Sequence, residues 1–289
     1  MTRVPAFPPP SSWRPLVELA LAEDLGPGDL TSALLVPEGA EGRARIEARQ
    51  PLVVCGLPVA REVFRRVDER LRFEPVQRDG RAAAAREPLA FVAGPLRSLL
   101  AGERCALNFL GRLCGVATWT RRYVEAVAGT PTQIVDTRKT LPGWRSLDKY
   151  AVAVGGGRNH RFGLYDGILI KDNHVALAGG VAAAVKTALA DAPAGIRVQV
   201  EVESLEQAEA ACAAGADFLL LDNLDPGETR RIVERLRGRA LLESSGGVDL
   251  ANVRDYAEAG VQRISIGALT HSAPAADLSL EIEPGGVEV

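Results

Sequence analysis

From residue 129 to residue 270 the sequence keeps one rhythm, in which a short β-branched run is followed by a helical stretch and then by another run. The runs are QIVDT, DGILIKD, RVQVEVE, DFLLLDN, ALLESSGG and RISIGA. Between them lie SLDKYAVAV, GGVAAAVKTALADA, SLEQAEAACAAG, DPGETRRIVERLRG and DLANVRDYAEAG. A helix between two strands carries the chain back to its starting edge, so successive strands must run parallel. Repeated β/α units either close into a barrel or open into a doubly wound sheet. No GxGxxG follows the first run and no Walker loop is present, which favours the barrel. Six runs fall short of the eight strands of a complete (β/α)₈ barrel, so an incomplete one is expected over 129–270.

The chain before this region reads differently. Residues 1–13 are rich in Pro and Ser and suggest a loose or extended arm. WRPLVELALAEDL is a short helix stopped by Gly26-Pro27-Gly28, after which Asp29 and Thr31 can cap or turn the chain. RARIEARQPLVVCG, FEPVQRDGRAA with its Asp79-Gly80 turn, and PLAFVAG read as strands around a helical REVFRRVDERL, a small α+β layer. Leu96, Leu99, Leu100, Leu107, Leu110, Cys114 and Ala117 then recur at helical spacing in one long helix. Gly111 and Gly115 lie one turn apart on it and predict a close backbone contact. Residues 1–128 thus form a first domain. The tail, residues 271–289, is too long for a cap, and its alternating LSLEIE predicts a strand that returns to that domain.

Chemistry in β/α barrels sits at the C-terminal ends of the strands. Here those ends read Asp136-Thr137-Arg138-Lys139, Lys171-Asp172-Asn173-His174, Glu201 with Glu203, Asp222-Asn223, Glu243-Ser244-Ser245-Gly246-Gly247 and Ser265-Ile266-Gly267. Residues 136–174 hold seven basic and four acidic residues, so this segment is net +3 in a chain that is net −3. They also contain His160, His174 and three of the four lysines, Lys139, Lys149 and Lys171. Positive charge elsewhere is almost all arginine, so the lysines mark places where a compact ammonium suits better than a planar fork. The pattern suggests a pocket for a small polyanion, against the plainer reading of a solvated basic loop. The Ser-Gly-Gly and Ile-Gly-Ala turns suit a phosphate held on backbone N–H groups, although a tight turn also needs glycine. Glu201 and Asp222 suit a hydroxylated sugar, or Mg²⁺ carried in on a pyrophosphate. Gly155-Gly156-Gly157 is weaker evidence, since it can simply end the preceding helix.

These residues resemble the quinolinate phosphoribosyltransferase family. The resemblance rests on DTRKTLPGWRSLDKYAVAVGGGRNHRFGLYDGILIKDNH, supported by LAEDLGPGDLTS, ERCALNFLGRLCGVAT, VEVE, LLLDN, ESSGGV and ISIGALTHSAPAADLSLEI. Cys114, where serine is expected, and Trp144, where the family varies, depart from it mildly. The resemblance implies an N-terminal α/β sandwich, rejoined by the C-terminal tail, and an incomplete α/β barrel. It implies phosphoribosyl transfer from phosphoribosyl pyrophosphate (PRPP) to quinolinate with decarboxylation, in a Mg²⁺-requiring cytoplasmic enzyme of NAD biosynthesis. By motif position, Arg104, Thr137, Arg138, Lys139, His160, Arg161 and Lys171 would surround quinolinate. Lys139, Glu201, Asp222, Ser245, Gly246, Gly247, Ser265 and Gly267 would take PRPP. Catalysis would fall to Lys139, Lys171, Glu201 and Asp222, and Arg104 would cross the interface of a homodimer.

Three other readings compete with this one. Lys171, at the end of a barrel strand, is the kind of amine used by Schiff-base aldolases and lyases. A related phosphoribosyltransferase could act on another acceptor. A phosphate-ligand binding protein could keep the basic pocket without turnover. Some classes are disfavoured outright. A pI of 5.8 without a basic run or basic helix face argues against nucleic acid. No 18-residue apolar run exists to span a membrane, and MTRVPAFPPPSSW lacks the apolar core of a secretory signal. Cys55, Cys105, Cys114 and Cys212 show no CxxC spacing and read as buried thiols in a reducing compartment.

Overall fold

The structure, a computed structural model, describes residues 4–283. The first residues of the predicted arm and the last of the predicted tail lie outside this range. The chain forms two compact units. The first comprises residues up to Arg121, Thr140–Gly156, and the chain from Ser272 onward; the second comprises Arg122–Lys139 and Gly157–His271.

The first unit begins with α1 (Arg14–Leu25), which ends where Gly26 turns to positive φ. Asp29 then caps α2 (Leu30–Leu35) by accepting the Ser32 N–H at 3.1 Å. β1 (Glu41–Ala48) and β2 (Leu52–Val53) lead to α3 (Leu57–Val67). That helix starts four residues before the predicted one. Gly56 in the left-handed region and Pro58 in the first turn set its start, although the apolar run before Arg61 resembles strand continuation. β3 (Arg72–Pro75), β4 (Ala82–Ala83) and β5 (Pro88–Pro95) follow, then α4 (Leu96–Ala126).

Between the second unit's first two strands, α5 (Arg145–Gly155) belongs to the first unit. It is therefore not the barrel helix that the rhythm predicts. Arg112 on α4 grips Asp148 on α5 through two N–H donors, at 3.1 and 2.8 Å, and the carboxylate is fully buried. Burial pushes the Asp148 carboxyl up and Arg112 pulls it down, so losing the arginine would leave a buried charge worth about 3–5 kcal/mol of destabilisation. Gly156, left-handed, ends α5, and that is what the triple glycine does.

In the second unit β6 (Gln133–Val135), β7 (Ile168–Ile170), β8 (Val198–Val202), β9 (Phe218–Asp222), β10 (Leu241–Ser245) and β11 (Arg263–Ser265) form a parallel sheet. Its order is β6-β11-β10-β9-β8-β7, the cyclic order of a barrel left open between its first and second strands. A single parallel bridge from Val135 to Arg158 extends the open β6 edge. The connections contain α6 (Asp172–Leu177), α7 (Val181–Asp191), α8 (Leu205–Ala213), α9 (Pro226–Leu236) and α10 (Val253–Glu258), and α11 (Ala268–His271) follows β11. α6 and α11 are single short turns that no periodicity announces.

The tail returns to the first unit, where β12 (Leu278–Ile282) completes an antiparallel sheet of order β12-β1-β5-β3. On its way it crosses the two glycines of α4. Ala276 N–H donates to the Gly111 carbonyl at 2.8 Å, and a Cβ on Gly115 would stand 2.2 Å from the Pro274 oxygen. The predicted close backbone contact is thus helix against strap. We predict that Gly115→Ala destabilises the protein by about 1–3 kcal/mol through overpacking against this backbone. Thermal denaturation would check it, and an unchanged Tm would contradict so close a contact.

Candidate active site

Side chains alternate along a strand, so residues two apart share a face. On the inner face of the second unit's sheet the uppermost positions are Lys171, Glu201, Asp222, Ser245 and Gly267. They line a cavity of about 570 Å³ together with Thr137, Arg138 and Lys139 beyond β6, His160, Arg161, Gly246, Gly247 and Ser265. Every site residue predicted from sequence is therefore brought together here except Arg104. That side chain lies on α4 in the first unit and lines a separate groove with Asn108, Arg112 and the tail.

Four permanent cations meet two carboxylates in this cavity. Burial, and then the neighbouring charge of Arg138, lowers the proton affinity of Arg161 while leaving it charged. Two guanidiniums so placed favour an anion with carboxylate geometry. Arg161 is steadied by donating to the Gly167 carbonyl at 3.0 Å. Thr137 Oγ1 accepts the Lys139 N–H at 3.0 Å and shapes the turn that presents Lys139.

Lys171 Nζ sits 2.7 Å from Glu201 Oε2. Lys171, expected beside quinolinate, and Glu201, expected beside PRPP, thus form one ion pair across adjacent strands. An amine paired in this way is not poised for Schiff-base attack. Asp222 is pushed up by burial first and by Glu201's charge second, while Lys171 and Lys139 pull it back. Asn223, with φ 55°, donates from its amide to Asp222 Oδ2 at 2.7 Å and fixes the carboxylate's direction.

The glycines opposite have local reasons. A Cβ on Gly246 would collide with Asn223 Oδ1 at 2.1 Å, and one on Gly267 would come within 3.0 Å of both His271 Nε2 and Lys139 Cδ. Gly246 and Gly247 also have positive φ, 91° and 62°. Bare backbone is required here by the side chains packed beside it, which leaves N–H groups at the cavity wall.

The sequence reading missed Leu169, Leu220, Val248, Ile266, Ala268 and His271 of the lining. The apolar ones are invisible because strand cores are apolar anyway. His271 sits in a short turn past the last strand, and only its place in THS within the family motif could have marked it. Other members of the basic stretch serve structure. Lys149 is buried in α5, and His174 Nδ1 accepts the Lys171 N–H at 3.0 Å at the start of α6. Glu203 is exposed and does not line the cavity. If Lys139 and Lys171 neutralise charge in the transition state, Lys139→Ala or Lys171→Ala lowers kcat/KM by about 10²-fold or more. Near-normal steady-state turnover in both variants would remove the cavity from the chemistry.

Known proteins place this geometry in a family. Residues 29–114 match the N-terminal domain model of quinolinate phosphoribosyl transferase, and residues 116–281 match the C-terminal domain model. The nicotinate-nucleotide pyrophosphorylase [carboxylating] of Mycobacterium leprae is 44% identical over 275 residues, covering 93% of this chain and 96% of that one. The probable enzyme of the same name from Bacillus subtilis is 41% identical over 260 residues, 90% of each chain. The solved nicotinate-nucleotide pyrophosphorylase of Francisella tularensis superposes with a TM-score of 0.91 at 38% identity, covering 96% of this chain and 98% of that one. Both domains, the open six-stranded barrel and the cationic cavity at its strand ends are accounted for together: the chain belongs to the quinolinate phosphoribosyltransferase family.

Proposed function

We propose that the cavity is where quinolinate and PRPP meet. The chain is a carboxylating nicotinate-nucleotide pyrophosphorylase, a pentosyltransferase that converts quinolinate and PRPP to nicotinate mononucleotide, pyrophosphate and CO₂ for NAD biosynthesis. The observation that carries the assignment of the site is the convergence of four cations and two carboxylates over a glycine-lined wall. Quinolinate brings two carboxylates, and each phosphate adds roughly 1.5–2 negative charges. Such anions share a small volume only inside a dense cationic wall.

In this reading Arg138 and Arg161, with Thr137, hold the pyridine dicarboxylate, and the His160 ring lines the cavity beside it. Gly246, Gly247 and Gly267, with Ser245 and Ser265, offer backbone and hydroxyl donors to the ribose phosphate. Lys139 and Lys171 lie between and face the pyrophosphate. The bond from ribose C1 to pyrophosphate breaks as pyrophosphate takes the electron pair, and Glu201 and Asp222 face the oxocarbenium-like ribose or hold its hydroxyls. The ring nitrogen then closes on C1. Its new positive charge stabilises the electron pair left on ring C2 as CO₂ departs, and a proton from solvent takes up that pair to complete the product. The protein's contribution is positioning and charge neutralisation.

Glu201 and Asp222 fit a divalent ion, since burial and then Glu201's charge disfavour the Asp222 carboxylate and a cation beside it would relieve that. Among the described residues no three ligating side chains are grouped for a metal, so Mg²⁺ would depend on the substrate's phosphate oxygens. When bound, it would supply counter-charge to the pyrophosphate. Glu201→Ala and Asp222→Ala should therefore raise the Mg²⁺ and PRPP concentrations needed for half-maximal rate more than the quinolinate concentration. Loss of quinolinate affinity with unchanged Mg²⁺ dependence would reverse the division of the pocket.

The site reading extends to a homodimer in the cytoplasm. Free Cys55, Cys105, Cys114 and Cys212 fit a reducing compartment. Among the described residues no helix is long and apolar enough to cross a membrane. Leu19 on α1 and Leu30, Leu34 and Leu35 on α2 are exposed, an apolar face that suits a second copy. Arg104 is 63% exposed, with Glu103 no nearer than 3.9 Å, and is available to the partner's quinolinate. Arg104→Ala and Lys139→Ala homodimers should each be poorly active, whereas mixing them restores activity. At random exchange about one quarter of sites regain both residues. No recovery after verified subunit exchange would take Arg104 out of a shared site.

A further inference from the structure

The strand alternation that builds the top of the cavity also builds the next inward row, of which Leu169, Leu220 and Ser265 still line the cavity and Gln199 and Glu243 lie beneath it. Two residues before Lys171, Glu201, Asp222, Ser245 and Gly267 lie Leu169, Gln199, Leu220, Glu243 and Ser265. Three of these five are polar, and Glu243 is a carboxyl group with no solvent exposure. The pair registers set Glu243 beside Leu220 on one neighbouring strand and Arg263 on the other.

His160 joins this layer to the cavity. Its Nε2 lies 2.9 Å from Gln199 Oε1 and 3.5 Å from Glu243 Oε1. Its Nδ1 accepts the Arg161 N–H at 2.8 Å. The second contact denies Nδ1 a proton and makes Nε2 the N–H, aimed down at Gln199 and Glu243 rather than up at a ligand. A proton added to this cluster therefore goes to Glu243. Neither Glu243 oxygen makes a well-formed hydrogen bond, and a carboxylate so buried is costly while ionised.

We propose that Glu243, which touches no substrate, is a positioning residue for His160 and the group that takes up a proton when the anionic ligands bind. The charged and titratable groups around it are Asp136 beyond β6, Arg263 on β11 and His160, with Gln199 and Ser265 as neutral partners. Burial is the largest influence on it. Ser265, Arg263 and Gln199 favour the carboxylate and Asp136 opposes it, and the balance raises the group to about 7. At neutral pH it is thus divided between its two forms. Quinolinate or a phosphate arriving one layer above disfavours the carboxylate further, and a proton from solvent converts it to the neutral acid. Above neutral pH, binding must therefore be accompanied by proton uptake, and affinity falls as pH rises.

The inference rests on the cavity being the quinolinate site. The test is KM for quinolinate at saturating PRPP from about pH 7 to 9 in wild type, Glu243→Gln and His160→Gln. In wild type KM should rise towards ~10-fold per pH unit, the limit for one proton taken up on binding. Glu243→Gln, a neutral mimic of the acid, should flatten that rise and bind quinolinate more tightly than wild type at the alkaline end. A merely structural role cannot produce that gain. A slope that survives Glu243→Gln, or one that His160→Gln abolishes in its place, overturns the proposal. If Glu243→Gln does not fold, calorimetry of the wild type decides. Binding of nicotinate mononucleotide near pH 8, in two buffers of different ionisation enthalpy, should show uptake of close to one proton, and none or a release would refute it. Lys139→Ala in the same assay separates the two claims, because normal KM and turnover there would fail the site reading itself.

Discussion

A β-strand shows alternate side chains to alternate faces, and six parallel strands in cyclic order turn that rule into concentric layers. The uppermost inward positions of the second unit are Lys171, Glu201, Asp222, Ser245 and Gly267, and two residues before them on the same strands come Leu169, Gln199, Leu220, Glu243 and Ser265. Shifting any one strand by a residue would send its polar row outward against the helices. The hydrophobic pattern that packs α7, α8, α9 and α10 against the outer face therefore also holds the chemistry in place. Stability and function share one register.

Within the cavity, opposite charges are interleaved rather than segregated. Lys171 is engaged by Glu201 at 2.7 Å, whereas Arg138 and Arg161 crowd each other. On the proposed reading, an entering dicarboxylate would relieve the repulsion between the arginines. An entering pyrophosphate would compete with Glu201 for Lys171 and leave Glu201 free to face a positive ribose. Binding would then move the carboxylate's partner from the protein's ammonium to the developing cation. This is the kind of preorganisation that costs little rearrangement at the moment of reaction.

Much of this was legible in the chain. The strand–helix rhythm identified all six barrel strands, and their polar ends supplied the cavity residues named in advance apart from His160 and Arg161, which the basic stretch and the family motif supplied. What stayed hidden has physical causes. SLDKYAVAV has a sound helical pattern, but a pattern does not say which core it faces, and Asp148 gripped by Arg112 ties α5 to the first unit. Lys149 and His174 raised the charge of the basic stretch without joining the cavity, since burial and capping depend on neighbours distant in sequence. Glu243 was read as part of a strand end. Counting in twos from Ser245 would have turned it inward, but only the partner distances reveal that it lies beneath His160.

The central claim is that two anionic groups are sorted within one cavity, carboxylate towards Arg138 and Arg161, and phosphate towards Gly246, Gly247 and Gly267. A crystal structure with nicotinate mononucleotide bound tests this most directly. The account predicts the pyridine carboxylate against the two guanidiniums, the phosphate on the glycine backbone, and the ribose hydroxyls beside Glu201 and Asp222. A product bound in the reverse orientation, or outside this cavity, would contradict it.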